Sequence, residues 1–114
     1  MLIKHIVRER VEFDIRDWND EVKAFVKPLD SFEALVFNDY ARDFFDKSQT
    51  NEDRFIAIFN AAKLVLVDEN NAPLLNDDDF ESIRYASFAP LFRLLSVVLA
   101  STAPTDEAPT AKKN

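Results

Sequence analysis

The chain has 114 residues, carries a formal net charge of −7, and contains neither cysteine nor glycine. This length fits one domain, and a hydrophobic content of 47% with eleven phenylalanines is enough for a core. The absence of cysteine excludes disulfides, thiolate nucleophiles and cysteine-based zinc sites. The absence of glycine excludes the usual forms of the P-loop, the dinucleotide fingerprint and the serine nucleophile elbow, which all need its backbone freedom.

The acidic charge is concentrated in the middle of the chain. Residues 31–80 hold eleven acidic and four basic residues, which is a net charge of −7, whereas the segments on either side nearly balance. Nucleic-acid-binding proteins normally show a basic patch. The sequence therefore predicts no ordinary nucleic-acid binding, although an acidic surface is also compatible with mimicry of a phosphate backbone.

The first thirty residues favour a β-hairpin. Apolar and charged residues alternate through residues 7–16, which is the period of a half-buried strand. A turn is predicted at residues 17–20, and a second short strand over residues 22–26 stops at Pro28. Because an isolated two-stranded hairpin is marginally stable, it must pack on helices.

Two helices are predicted next, each with its own start signal. Asp30 and Glu33 form a capping-box pattern that opens a helix over residues 31–46. After a polar link, Thr50 is placed to cap the central helix, with Asp53 three residues on. The central helix carries one broad apolar stripe: Phe55, Ile58, Phe59, Ala62, Val65 and Leu66.

An acidic turn over residues 67–75 follows the central helix. In a chain without glycine, a left-handed backbone position falls to Asn or Asp, and Asn70-Asn71 is the predicted place for it. Asn76, followed by Asp79, indicates another helix start. Pro90 then requires either a new helix near Ser87 or a kink.

These elements predict an α+β fold: a small N-terminal β-hairpin packed on a bundle of three to four helices. The domain is expected to span residues 1–100, and a disordered tail residues 101–114. The longest apolar stretch, residues 88–100, is too short to cross a bilayer and contains Arg93 and Ser96. With no secretory signal at the start, a cytosolic protein without a membrane partner is expected.

Candidate catalytic and metal-binding groups have simpler structural explanations. Asp77, Asp78 and Asp79 lack the alternation and the glycine of an EF-hand loop, so a helix cap is the favoured interpretation. His5 is the single histidine and has no evident nucleophile or carboxylate partner. The sequence therefore predicts a non-enzymatic protein without a metal or other cofactor.

The apolar content exceeds what so small a fold is expected to hide. Apolar residues cover more than half the circumference of the helix over residues 31–46, and the segment 91–99 is almost wholly apolar. The surplus predicts a surface for another protein or for a second copy of the chain. The residues predicted to form it are Phe37, Phe45, Leu91, Phe92 and Leu95.

The order of these features over residues 22–99 resembles the tail assembly chaperones of long-tailed bacteriophages. The matching pieces are VKAFVKPL at residues 22–29, Glu33 at the helix start, VDENNAPLL at residues 67–75, and DDDF at residues 77–80. Two positions depart from the family pattern, because Asn71 stands where a glycine is usual and Leu75 where a phenylalanine is usual.

The resemblance implies a protein that coats the long, helical tape measure protein in the host cytoplasm before tail tube subunits polymerise around it. The implied partners are the tape measure protein and the tail tube protein. Such families often produce a longer frameshifted form, and Lys112-Lys113-Asn114 can be encoded by an A-rich slippery sequence. Two alternatives remain open: an acidic DNA-mimic inhibitor of the anti-restriction type, and a structural head-tail or baseplate adaptor.

Overall fold

A computed structural model describes residues 8–102 of the protein. The chain forms, in order, strands β1 and β2, helices α1 and α2, strand β3, a 3₁₀ turn, and helices α3 and α4. Their bounds are β1 Val11–Phe13, β2 Ala24–Val26, α1 Ser31–Phe45, α2 Asn51–Val65, β3 Leu66–Val67, the 3₁₀ turn Asp77–Asp79, α3 Phe80–Arg84 and α4 Ala89–Thr102. The predicted α+β fold is confirmed. The predicted tail, residues 101–114, lies outside the described residues apart from the two that end α4.

Within residues 8–102, the sheet has three antiparallel strands in the order β1-β2-β3, not the predicted two. The third strand begins where α2 ends: Leu66 has extended backbone angles (φ −86°, ψ 130°) and pairs with Val26. The four-residue interval from Ala62 predicts that Leu66 belongs to the apolar stripe of the central helix, and the structure contradicts this prediction. Spacing alone fails here because a buried apolar residue suits either element, and the available partner strand decides between them.

The predicted helix starts are all present. Asp30 accepts a hydrogen bond from the backbone N–H of Glu33, whose carboxylate accepts one from the N–H of Asp30, so the capping box of α1 is complete. Thr50 Oγ1 accepts from the N–H of Asp53 at 3.0 Å. Asn76 and Asp79 make the same reciprocal pair, although they cap the 3₁₀ turn rather than an α-helix.

The core lies where α1, α2 and α4 meet the inner face of the sheet. The largest side chains with almost no exposure are Phe37, Ile58, Leu66, Leu91, Leu94, Val65, Val98 and Pro90.

Pro90 is the second residue of α4, where its missing N–H breaks no helical hydrogen bond. A new helix therefore begins near this residue, and the preceding helix is not continued through a kink.

The acidic turn after β3 is closed from two sides. Within the turn, Asp68 Oδ1 accepts hydrogen bonds from the N–H groups of Asn70 and Ala72. From outside, Arg10 Nη1 donates to the carbonyl oxygens of Asp68 and Glu69 at 3.0 and 2.9 Å, and to Asn71 Oδ1 at 3.0 Å. Asn71 has φ 63°, which confirms the predicted left-handed position.

The turn between β1 and β2 is fastened to the start of α4. Trp18 Nε1 donates to the carbonyl oxygen of Ser87 at 2.8 Å. Arg93 Nη2 donates to the Asp14 carbonyl oxygen at 3.0 Å and to Asp17 Oδ1 at 2.6 Å. Contacts far apart in sequence therefore hold the small hairpin against the helices, as its short strands require.

Candidate protein-binding surface

The five residues predicted to bind a partner separate into two groups. Phe37, Leu91 and Leu95 are core residues with 0%, 1% and 2% of their surface exposed, so they are not part of a binding surface in this conformation. Phe45 and Phe92 are 52% and 58% exposed. The apolar spacing predicts that more than half of the circumference of helix α1 is apolar. It does not predict which side faces the core, because the neighbouring elements determine that.

Phe45 belongs to a cluster of three phenylalanines, here called the aromatic patch: Phe44, Phe45 and Phe88. The Phe44 ring lies edge-on to Phe45, with 5.1 Å between centroids, and stacks on Phe88 at 5.8 Å. Phe45 and Phe88 are about half exposed, whereas Phe44 is partly buried. The patch thus joins the end of α1 to the start of α4.

Neighbouring contacts hold the aromatic patch in place. The Arg54 guanidinium lies 5.5 Å from the centroid of Phe44, and its Nε donates to the Phe44 carbonyl oxygen at 2.7 Å. The N–H of Phe92 donates to the carbonyl oxygen of Phe88 at 3.2 Å, so Phe92 follows one helical turn beyond the patch. A rigid aromatic surface loses little side-chain entropy when a partner covers it.

A carboxylate borders the aromatic patch. Asp46 follows Phe45 directly and is exposed. Hydrogen bonds from the Ser48 hydroxyl and backbone N–H lower the pKa of Asp46, so this carboxylate is ionised at neutral pH. The patch therefore has an ionised carboxylate next to it in sequence and the Arg54 cation 5.5 Å from the Phe44 ring.

A second exposed apolar surface lies on α1, at Phe32 and Leu35, here called the outer face of α1. Their exposed fractions are 73% and 65%, the largest of any apolar residue on that helix. They stand three residues apart and so share one side of the helix, away from the buried Phe37 and Ala41. Neither residue is among the five predicted to bind a partner, although both lie on the helix whose circumference is more than half apolar. Because the opposite side of α1, with Phe37 and Ala41, is buried in the core, Phe32 and Leu35 are the most exposed apolar side chains of this helix.

Other kinds of site find less support among residues 8–102. No group of three or more His, Asp or Glu side chains in this part of the chain is placed to hold a metal ion. Asp77 pairs with Lys63 while Asp79 caps its own turn, so neighbouring carboxylates have separate partners.

Across the same residues, no single helix is both long and apolar enough to span a membrane. One pair, residues 77–84 with 89–100, meets the criteria only jointly and is bent by 116°.

Comparison of the chain with known proteins finds no matching family model, no matching curated protein and no matching solved structure. The class of protein is therefore defined by fold and surface: a small α+β domain with exposed phenylalanines on two of its helices. Large exposed apolar patches on small domains are typical of sites that bind other proteins.

Proposed function

We propose that the protein is a non-catalytic tail assembly chaperone of a long-tailed bacteriophage, which binds the tape measure protein in the host cytoplasm and assists tail tube assembly. The aromatic patch is the observation that carries this proposal, because two half-exposed rings, Phe45 and Phe88, pack on the partly buried ring of Phe44 and leave an uncovered apolar surface. The order of motifs over residues 22–99, which resembles that chaperone family, supplies the identity of the partner.

The surface has the physical properties that an escort of a long helical protein needs. Burying one large apolar side chain contributes about 1.5–3 kcal/mol, so the phenylalanines of the patch can anchor an apolar helical stripe. Aromatic residues are also enriched among the few that carry most of the energy of an interface. The net charge of −7 opposes self-association of the coated complex.

Acidic DNA mimicry finds less support in the arrangement of the carboxylates. Asp30 and Asp79 are used in caps, Asp68 closes a turn, and Glu52 pairs with Arg84 at 2.6 Å. A mimic of a phosphate backbone needs its charges directed outward from one face, whereas these carboxylates are distributed over two caps, a turn and an ion pair on α2.

Co-expression with a fragment of the tape measure protein tests the proposal. The wild-type chain is expected to keep the fragment soluble and to co-purify with it. The double variant Phe45→Ser/Phe92→Ser removes one ring of the patch and the exposed ring one helical turn beyond it. It should lose co-purification at least about tenfold, because truncating an aromatic residue that anchors an interface commonly costs 2 kcal/mol or more. The readout is the ratio of fragment to chaperone after affinity purification.

Val11→Ser is the matched control, because Val11 and Phe92 have the same exposed fraction, 58%, while Val11 lies on β1. This control should bind like wild type. Failure of the wild-type chain to bind the fragment would reject the chaperone function. Binding that survives the double variant but is lost on Phe32→Ser/Leu35→Ser would move the site to the outer face of α1. Detection of the protein in purified virions would instead identify a structural adaptor.

A further inference from the structure

A groove of about 410 Å³ lies between the β1–β2 turn and α3, and it shares no residue with the aromatic patch. Its apolar lining includes Ile15, Leu75 and Ile83, all of which are buried core residues. A concave site with an apolar floor can hold the aliphatic part of a single side chain out of water.

Trp18 forms one wall of this groove. The hydrogen bond from its Nε1 to the Ser87 carbonyl oxygen, 2.8 Å long, and partial burial against the core together restrict the position of the indole. An indole face is the best aromatic partner for a cation, and its flat surface also packs well against a methylene chain. A fixed indole therefore favours a ligand that has both an aliphatic stem and a positive head.

The charge at the rim points the same way. Asp17 and Asp79 line the groove, and its lining contains no Lys, Arg or His. Asp17 is balanced by Arg93, 2.6 Å away. Asp79 accepts a hydrogen bond from the neutral backbone N–H of Asn76 at 2.9 Å, which leaves its negative charge in place. The groove consequently carries an uncompensated carboxylate next to an apolar floor.

We propose that this groove binds a lysine or arginine side chain of a partner protein. The aliphatic stem packs on the floor and on Trp18, and the cationic head pairs with Asp79. An acidic side chain is repelled by the rim, and a purely apolar one leaves the carboxylate unused. The proposal does not depend on the identity of the tape measure protein as partner, because it rests on the lining of the groove alone.

The protein contains one tryptophan, so its fluorescence reports on this groove directly. The test titrates the full chain with n-hexylammonium chloride, which mimics a lysine side chain, and with 1-hexanol and sodium hexanoate at the same ionic strength. Trp18 fluorescence and the NMR signal of its indole N–H are the readouts. Hexylammonium should shift both in a saturable way, hexanol more weakly, and hexanoate least.

A pair of neutralising substitutions isolates the role of charge. Asp79→Asn removes the charge but keeps an oxygen that can accept from Asn76, and it should weaken hexylammonium binding about fivefold. Asp78→Asn is the matched control, because Asp78 is exposed on the same 3₁₀ turn but does not line the groove. It should change the affinity less than about twofold. Far-UV circular dichroism verifies that both variants keep their helices.

Filling the groove supplies a second test. Ala86 is exposed and lines the groove, so Ala86→Leu should abolish the hexylammonium shift, whereas Phe45→Ser/Phe92→Ser should leave it unchanged. A helical alanine-based peptide with one lysine should bind more tightly than the same peptide with norleucine. The proposal is overturned if hexanol binds as tightly as hexylammonium, or if the two Asp→Asn variants lose affinity equally. It is also overturned if the Ala86→Leu variant still binds hexylammonium. These outcomes are separate from those of the tape measure experiment.

Discussion

Asn71 shows how a chain without glycine builds a tight turn. Its φ of 63° lies in the left-handed region, which costs most residues about 1–2 kcal/mol and asparagine less. Its side chain also accepts a hydrogen bond from Arg10, whose guanidinium lies 3.8 Å from the centroid of Phe25. Asn71 thus provides both the backbone geometry of the turn and a side-chain hydrogen bond to Arg10, the residue that precedes β1.

The backbone role of Asn71 predicts a specific order of stabilities. Asn71→Ala should lower the free energy of unfolding by about 1–2 kcal/mol, because alanine pays the steric cost of the left-handed region and loses the bond from Arg10. Asn71→Gly should stay within about 1 kcal/mol of wild type, since glycine relieves the backbone but also loses that bond. Urea denaturation measures both values. Equal losses for the two variants would show that φ does not matter here.

Single-residue predictions from the sequence succeeded where the relevant partner lies three residues away. The caps at Asp30 and Thr50 depend on such local geometry, and the structure contains them. The exposure of the residues predicted to bind a partner is different, because Phe37 and Phe45 look alike in sequence but are 0% and 52% exposed. Their exposure depends on where α2 and α4 pack, which no pattern within α1 reports.

One side of helix α1 packs in the core and the other side is exposed, and the start of the helix contacts the residue that follows β2. The capping box of Asp30 and Glu33 opens the helix. Glu33 also pairs with Lys27 at 2.7 Å, and Lys27 directly follows β2. These contacts fix the angle at which the chain leaves the sheet and therefore the direction of the outer face of α1.

Removing the N-terminal cap of α1 should destabilise the helix. Asp30→Ala is expected to lower the free energy of unfolding by about 1 kcal/mol. The backbone N–H of Glu33 loses its acceptor on Asp30, and the capping box is no longer reciprocal. Asp39→Ala is the control, since Asp39 is exposed in mid-helix and its pair with Arg42 is a surface contact. It should change stability by less than about 0.5 kcal/mol. Thermal and urea unfolding compare the two, and an equal effect would argue against a capping contribution.

At the level of elements, helices were predictable from sequence and the sheet was only partly so. The helices α1 and α2 have caps and long periodic patterns, whereas β3 is two residues long and continues directly from α2. Strand β1 covers only Val11–Phe13 of the described part of its alternating pattern, residues 8–16, and residue 7 of that pattern lies outside the described residues. Short strands are defined by the partner that pairs with them, and that partner is distant in sequence.

Across the whole molecule, several carboxylates are stabilised in their charged form. The Arg16 side chain and backbone N–H lower the pKa of Asp14 to about 2. Hydrogen bonds from Lys27 lower the pKa of Glu33, and those from Arg84 lower the pKa of Glu52. A carboxylate whose pKa is lower in the folded than in the unfolded state stabilises the fold above the unfolded pKa, and this contribution is lost as the pH falls through the folded pKa.

The protein should therefore lose stability on acidification from about pH 4.5 towards pH 2. Asp14→Asn should flatten the dependence of stability on pH between about pH 4 and pH 2, because its carboxylate accounts for part of the proton uptake on unfolding. Urea midpoints measured across this range give the slope directly. A variant with the same slope as wild type would show that the Asp14–Arg16 contact does not contribute to folding.

The fastening of the first turn to α4 has a consequence for synthesis on the ribosome. Trp18 is made early, yet the carbonyl it donates to belongs to Ser87, and the arginine that pairs with Asp17 is Arg93. While Ser87 and Arg93 are still inside the ribosome, Trp18 and Asp17 of the nascent chain lack these hydrogen-bond partners. The native environment of Trp18 is thus assembled only when most of the domain has emerged, which makes completion of the fold a late event in translation.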